Sequence, residues 1–473
     1  MLGLFATLNL ASRSLQTQMT GVEVSGQNLA NVNTKGYTRQ TIDIQTSTDI
    51  NTTIGPEGTG ANAVAIQQAV NTLLNSQIQN QQSSLGYWNA QQAALQSAET
   101  SLNEFLNGTG GSTSSSSATS TTDTGLSGQL SSLFNAFQAV ATSPTSISAR
   151  QNLISQAQAL ASAFNQISAQ LDATKASLNT SLDHNVASAN KLVSAIADLN
   201  KQIAAAQFSG GTANDLLDER EQDLKQLSQL ADIKTSPETS GAVDVSIGGQ
   251  TLVSGGNVLD TLQTYDAGGG QLRLQTATGG TPLTLMSGSI SGTMDARDGT
   301  LATLQANINT LASTLITQVN GVHAGGYSLT GTTGADFFNG TNAATITVNA
   351  SLVNDPSLIQ AAGTATATGD NSVALQLADL ASAAQSGLGN QAFSASYGQT
   401  VAALGNDLQT ATNQVGSQTA VANMLSTQRG SASGVNLDEE MTNLMGFQRA
   451  YEASAQLVTT VNQMMQTVLA MKT

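Results

Sequence analysis

Catalysis and metal binding need particular side chains at particular spacings, and this chain supplies few of them. His184 and His323 are its only histidines, and it has no cysteine. Neither histidine has a second ligand nearby at helical spacing, and no HExxH zinc motif is present. A GxSxG nucleophile elbow and a GxxxxGK phosphate loop are also missing. Asp295 and Asp298 with Gly299 fall short of a calcium loop, which needs oxygen ligands at a series of fixed positions. The acidic run Asp215, Asp218, Glu219, Glu221 and Asp223 reads as one solvated helix face. An enzyme without catalytic His or Cys would need paired carboxylates in a cleft, and nothing singles out a pair. The sequence reads as a protein with no catalytic residues, no metal site and no cofactor.

The composition points instead to long helices that bury modest apolar stripes. Of 473 residues 39% are hydrophobic, 10% charged and 4% aromatic. That is too apolar and too weakly charged for a disordered chain. The formal charge of −16 argues against a nucleic-acid partner, because phosphates repel such a surface. No stretch approaches the roughly 20 apolar residues of a membrane helix, so no membrane partner is expected. The first residues lack a basic region followed by an apolar run, so no cleaved secretory signal is expected.

The elements are set by periodicity. In the first 35 residues Leu8, Leu15, Val22 and Leu29 recur at seven-residue spacing, interleaved with Leu4, Ala11, Gln18, Ser25 and Val32. This predicts an amphipathic helix that needs a partner. It should stop near Asn31 to Gly36. Residues 37–48 alternate and read as extended, Gly55-Pro56-Glu57-Gly58 reads as a turn, and a helical pattern resumes over 62–106. Residues 107–125 form a Gly/Ser/Thr linker. Heptads return over 151–207, a short charged helix follows over 214–231, and Gly-punctuated alternating strands fill 238–292. Helices are expected again near 293–322, 371–386 and 391–428, with loop and short strand over 325–370. The last helix carries Leu437, Leu444, Tyr451, Val458 and Met465 at spacing seven, with Met441, Gln448, Ala455, Asn462 and Leu469 as a second stripe.

The fold expected is therefore mainly α with an inserted β domain, the N- and C-terminal helices pairing as a coiled coil. Three parts are expected: 1–60 with 430–473 as a terminal-helix domain, 61–236 with 293–429 as a helical domain, and 237–292 as an outer β-rich insertion. The two leucine-led stripes are the expected assembly surface, with Arg39 and Arg449 as candidate polar contacts.

Both ends also carry a resemblance. Residues 14–40 resemble the N-terminal signature of the flagellar rod, hook and hook-associated axial proteins, its core being Asn28-Leu29-Ala30-Asn31, Asn33-Thr34 and Gly36-Tyr37. Residues 434–469 resemble the matching C-terminal signature through Leu437-Asp438-Glu439-Glu440 and Phe447-Gln448-Arg449-Ala450-Tyr451. Residues 34–40, Val319 to His323, Gly326 to Gly331 and Phe337-Phe338 look closest to the hook-associated members, with Ser328 where the family form usually has an acidic residue. The resemblance implies terminal helices in an innermost tube, a helical second domain and outer β domains. Asn28, Asn31, Asn33, Gly36 and Tyr37 would set the turn out of that tube.

It also implies a structural adaptor between hook and filament, exported through the flagellar type III apparatus to an extracellular site. Its implied partners are hook protein, a second junction protein, copies of itself in a helical ring, and an export chaperone on the C-terminal helix. A sister axial protein, or a secreted adhesin with coiled-coil ends, would share many of these features.

Overall fold

Helices broken by short antiparallel strands make up the chain, and the breaks fall where helical periodicity lapses. The computed structural model describes residues 3–52, 55–102 and 125–471. Helix α1 (Leu4–Ala30) ends at Asn31, and the chain turns through Gly36, whose φ of +95° favours a residue without Cβ. A ribbon follows, in which β1 (Gln40–Thr46) pairs with β4 (Ala61–Gln68) and β2 (Ile50–Thr52) with β3 (Gly55–Glu57), both antiparallel. Two sequence expectations change here. Residues 62–68 are strand rather than helix, because they find ladder partners in β1. Gly55 to Glu57 is strand rather than turn. Helix α2 (Thr72–Leu102) comes next. The Gly/Ser/Thr segment lies outside the described residues except for Gly125, which precedes α3 (Leu126–Thr142).

Helix α4 (Ile147–Phe208) is the axis of the molecule: at about 1.5 Å per residue its 62 residues span roughly 90 Å. The Ser146 Oγ accepts from Ala149 N and caps its start. Its two halves serve two cores. Leu153, Leu160, Phe164 and Leu171 pack with the end of α2, with α3, and with α7 (Ala302–His323), α9 (Ser372–Asp379) and the first half of α10 (Phe393–Ser433). Leu182, Ala189, Val193 and Ile196 pack with α5 (Asn214–Leu230), the β insertion and α6 (Gly288–Asp295).

The insertion is a four-stranded antiparallel sheet, β5 (Ile233–Pro237), β6 (Val243–Ile247), β7 (Gln250–Ser254) and β8 (Asn257–Val258), followed by the hairpin of β9 (Leu262–Asp266) and β10 (Leu272–Thr276). Its strands begin at Ile233 and the following helix at Gly288. Val245, Ile247, Leu252 and Leu274 are buried against α4 and α5, so sheet and helices share one core.

A π-helical turn, Ala296–Leu301, joins α6 to α7 and turns Arg297 inward, where it donates to Asn179 Oδ1 and Leu272 O. Past α7, β11 (Phe338–Asn339) pairs with β12 (Thr347–Val348), and α8 (Ala350–Asn354) follows. His323 ends α7 wholly buried. Its Nδ1 donates to Ala335 O at 2.7 Å, and its Nε2 accepts from Gln360 N at 3.0 Å. Burial pushes its pKa down to about 4, so this imidazole is neutral and both its nitrogens are taken. Ser328 Oγ accepts from the backbone N–H of Thr330 and Thr332, work that a carboxylate would also do at that turn. His184 stands exposed on α4. Among the described residues no group of three or more His, Cys, Asp and Glu could hold a metal, and no helix is long and apolar enough to cross a membrane.

Candidate assembly interface

The last helix, α11 (Leu437–Ala470), returns along α1 as an antiparallel partner. Three contacts fix the register. The Asn28 side chain meets Glu440, the α carbon of Gly21 lies under the Phe447 ring, and Ser14 Oγ bonds Ser454 Oγ at 2.8 Å. Each step is seven residues on both helices, as an antiparallel coiled coil requires. On α1 this row consists of small or polar residues, and the buried side chains beside it include Ala11, Thr17 and Ser25. A Cβ at position 21 would sit 2.6 Å from Phe447 Cδ1, so glycine there is what lets the ring lie on the backbone.

One end of the coil is clamped. Asn28 is fully buried and uses its whole amide: Nδ2 donates to Gln40 O at 2.8 Å and Glu440 Oε2 at 3.0 Å, while Oδ1 accepts from Tyr37 OH at 2.9 Å and Gln40 N at 3.0 Å. Glu440 is buried in the first turn of α11, where the helix dipole favours its charge, and it takes Arg39 Nε at 2.7 Å. The second arm of Arg39 reaches Glu439, whose side chain is 53% exposed, so that pairing adds little. Tyr37 has its pKa pushed up to about 12 by burial, with Asp215, Asp218 and Glu440 adding to the effect, so its hydroxyl stays a donor.

The same turn grips the next layer. Thr38 donates from N and Oγ1 to the two Asp218 oxygens, at 2.8 and 2.6 Å. Arg429, near the end of α10, donates to Gly36 O and Thr38 Oγ1. Gln40 is bonded by Asn214 and reaches Asp215 on α5. Residues 36–40 thus tie the coil to α5 and α10 at one point. Asn31 closes the helix end locally, bonding Gln27 O and accepting from Thr34, while Asn33 is exposed.

The expected stripes lie beside this seam. Leu8, Leu15, Val22 and Leu29 are half-buried on its flank, as are Leu444, Val458 and Met465. Leu437 and Tyr451 point outward at 47% and 41% exposure, and Met441, Met445 and Met464 lie open with them. Gln448 and Asn462, expected at core positions, are exposed, because the seam runs through Glu440, Phe447, Ser454 and Val461 instead. Arg39 works inside the chain; Arg449 is exposed with no polar partner among the described residues. The acidic run of α5 is a solvated face only in part, since Asp218 is spent on Thr38. Sequence reasoning read Asp218 as solvated and missed Arg429 and Asn214; all three lie far from the turn in the chain.

The family described as "Flagellar hook-associated protein FlgK helical domain" matches residues 113–338, and "Flagellar basal body rod FlgEFG protein C-terminal" matches residues 431–471. The chain is similar to flagellar hook-associated protein 1 of Bacillus subtilis, with 28% identity over 98% of each chain. It resembles the protein of the same name from Salmonella typhimurium at 24% identity over 98% of this chain and 99% of the other, and that of Escherichia coli at 22% over 96% and 97%. The solved structure of the flagellar hook junction protein FlgK from Burkholderia pseudomallei shares the fold: TM-score 0.58 at 19% identity, covering 73% of this chain and 99% of that one.

Proposed function

We propose that the chain is a flagellar hook-associated protein and the first junction subunit, the structural adaptor that joins hook to filament. The observation that carries this reading is the α1/α11 coil, which closes on itself through the small and polar row of α1 and the Glu440, Phe447, Ser454 and Val461 row of α11. It leaves Leu437, Met441, Met445 and Tyr451 at least 41% exposed along one side of α11, and Leu457 and Met464 exposed on the other side of the seam. An exposed apolar surface of this kind marks an interaction site. Its partners are copies of this chain, the hook protein and a second junction protein. Heterologous contacts repeated around an axis build a ring or tube. The role is structural rather than catalytic.

Before assembly the same surface needs cover, which an export chaperone on α11 supplies until the chain is exported. The coil with its ribbon forms the tube, the α4-centred helices form the second layer, and the sheet after α5 lies outermost.

Electron microscopy of a strain lacking this gene tests the reading. Intact hooks without filaments, with filament protein released into the medium, are expected. Normal filaments would refute it, and loss of the hook itself would assign the chain to a sister role.

A further inference from the structure

Two cavities adjoin at the Lys35-Gly36-Tyr37 turn and differ in charge. One, of about 440 Å³, lies between that turn, α2, α5 and α10; the charged side chains in its wall are Lys35, Lys225 and Arg429, with no carboxylate. The other, of about 340 Å³, shares Lys35 and Tyr37 but holds Asp215, Asp218, Glu219 and Asp223. A chain with 15 basic residues against 31 acidic ones has gathered cations on one side of a loop and carboxylates on the other.

Some of these groups are already committed. Asp218 holds Thr38, Asp215 accepts from Gln40, and Arg429 Nη2 serves Gly36 and Thr38. Lys225 is ion-paired with Glu221 at 3.5 Å and its side chain is only 15% exposed. Others are not committed: Lys35 is exposed at the mouth of the cleft. Glu219 and Asp223 make no hydrogen bond or ion pair among the described residues. They lie four residues apart on α5, so their carboxylates share a face.

We propose that the two surfaces dock on each other between copies, Glu219 and Asp223 of one subunit entering the Lys35–Lys225–Arg429 cleft of the next. This rests on the assembly reading above and names one of its contacts. Donor and acceptor patches are different surfaces, so a subunit can offer one to the neighbour on one side and the other to the neighbour on the other, as a ring requires. Opposed charge mainly sets register and encounter rate, and it weakens with salt.

Charge reversal on the full-length chain tests it, away from the clamp. One variant carries Glu219→Lys and Asp223→Lys; the other carries Lys35→Glu and Lys225→Glu. Self-association is followed by sedimentation, and folding by thermal melting. Wild-type association should weaken with added salt, and each variant alone should associate at least about tenfold more weakly. An equimolar mixture should recover, because each then offers the patch that the other needs. If a reversed variant fails to fold, Asp223→Asn and Lys225→Gln take its place, and each should weaken association several-fold.

Folded variants that associate like wild type would overturn this inference alone, and so would a mixture no better than its components. A cleft that binds only an acidic segment of another protein gives that first result. Wild-type protein that never self-associates would overturn this inference and the assembly reading together.

Discussion

Asn28 uses both its donors and both its acceptor sites at the one place where three parts of the chain meet. Replacing it with alanine strands the Tyr37 hydroxyl, the Gln40 backbone and one Glu440 oxygen in a buried site. At about 1–3 kcal/mol for each group left unsatisfied, with partial relief by water, Asn28→Ala should cost about 3 kcal/mol in urea unfolding. Asn28→Asp keeps the shape but sets a second carboxylate against Glu440, so it should not rescue; wild-type stability in either variant would refute the clamp. His323 gives a pH signature. Burial lowers its pKa from 6.5 to about 4, so the folded chain binds this proton less readily than the unfolded one. Its contribution, on the order of 3 kcal/mol, is complete above about pH 6.5 and is lost as pH falls through 4. Asp218, whose carboxyl is pushed up chiefly by burial, acts in the opposite sense. The melting-temperature gap between wild type and His323→Gln isolates the imidazole, and it should shrink on acidification. At this scale the sequence was partly legible: the Asn28–Tyr37 turn stands out as a motif, but its partners Glu440, Asp218 and Arg429 are distant in the chain.

Terminal helices whose heptads are obvious still hide which row of side chains faces inward. Leu8, Leu15, Val22 and Leu29 repeat at seven, and so do Ser14, Gly21 and Asn28 one residue before three of them. Hydrophobicity favours the leucines, while close approach of two backbones favours the small residues. The seam took the small row and left the leucines on its flank, half-buried. Gly21→Ala should therefore loosen the coil by about 1–3 kcal/mol through overpacking against Phe447. Limited proteolysis of the monomer would show it as faster cleavage within α1 and α11, and Phe447→Leu in the same chain should restore part of the protection. An unchanged digestion rate would contradict the register. The long run over 151–207 was readable because it has neither Pro nor Gly. The strand at 61–68 was not, because Val64 and Ile66 give only a short alternation among Ala, Asn and Gln residues, and pairing with β1 completes the strand.

The whole molecule keeps the terminal coil at one end and its two large cores away from it. Its coil is tied to α5 and α10 at the residue 36–40 clamp, and from there α4 carries two cores outward over roughly 90 Å. The coil thus joins the helical body through these hydrogen bonds and through the short chain links from β4 to α2 and from α10 to α11. The outward apolar row of α11 is the surface on which this account depends. Met441→Glu with Met445→Glu should leave the monomer's melting unchanged, since both side chains are solvent-exposed at 44% and 46%. The most direct measurement is electron microscopy of the gene-deleted strain carrying this double variant. Hooks without filaments are expected despite a folded, exported protein; filaments of normal number and length would refute the role of this surface.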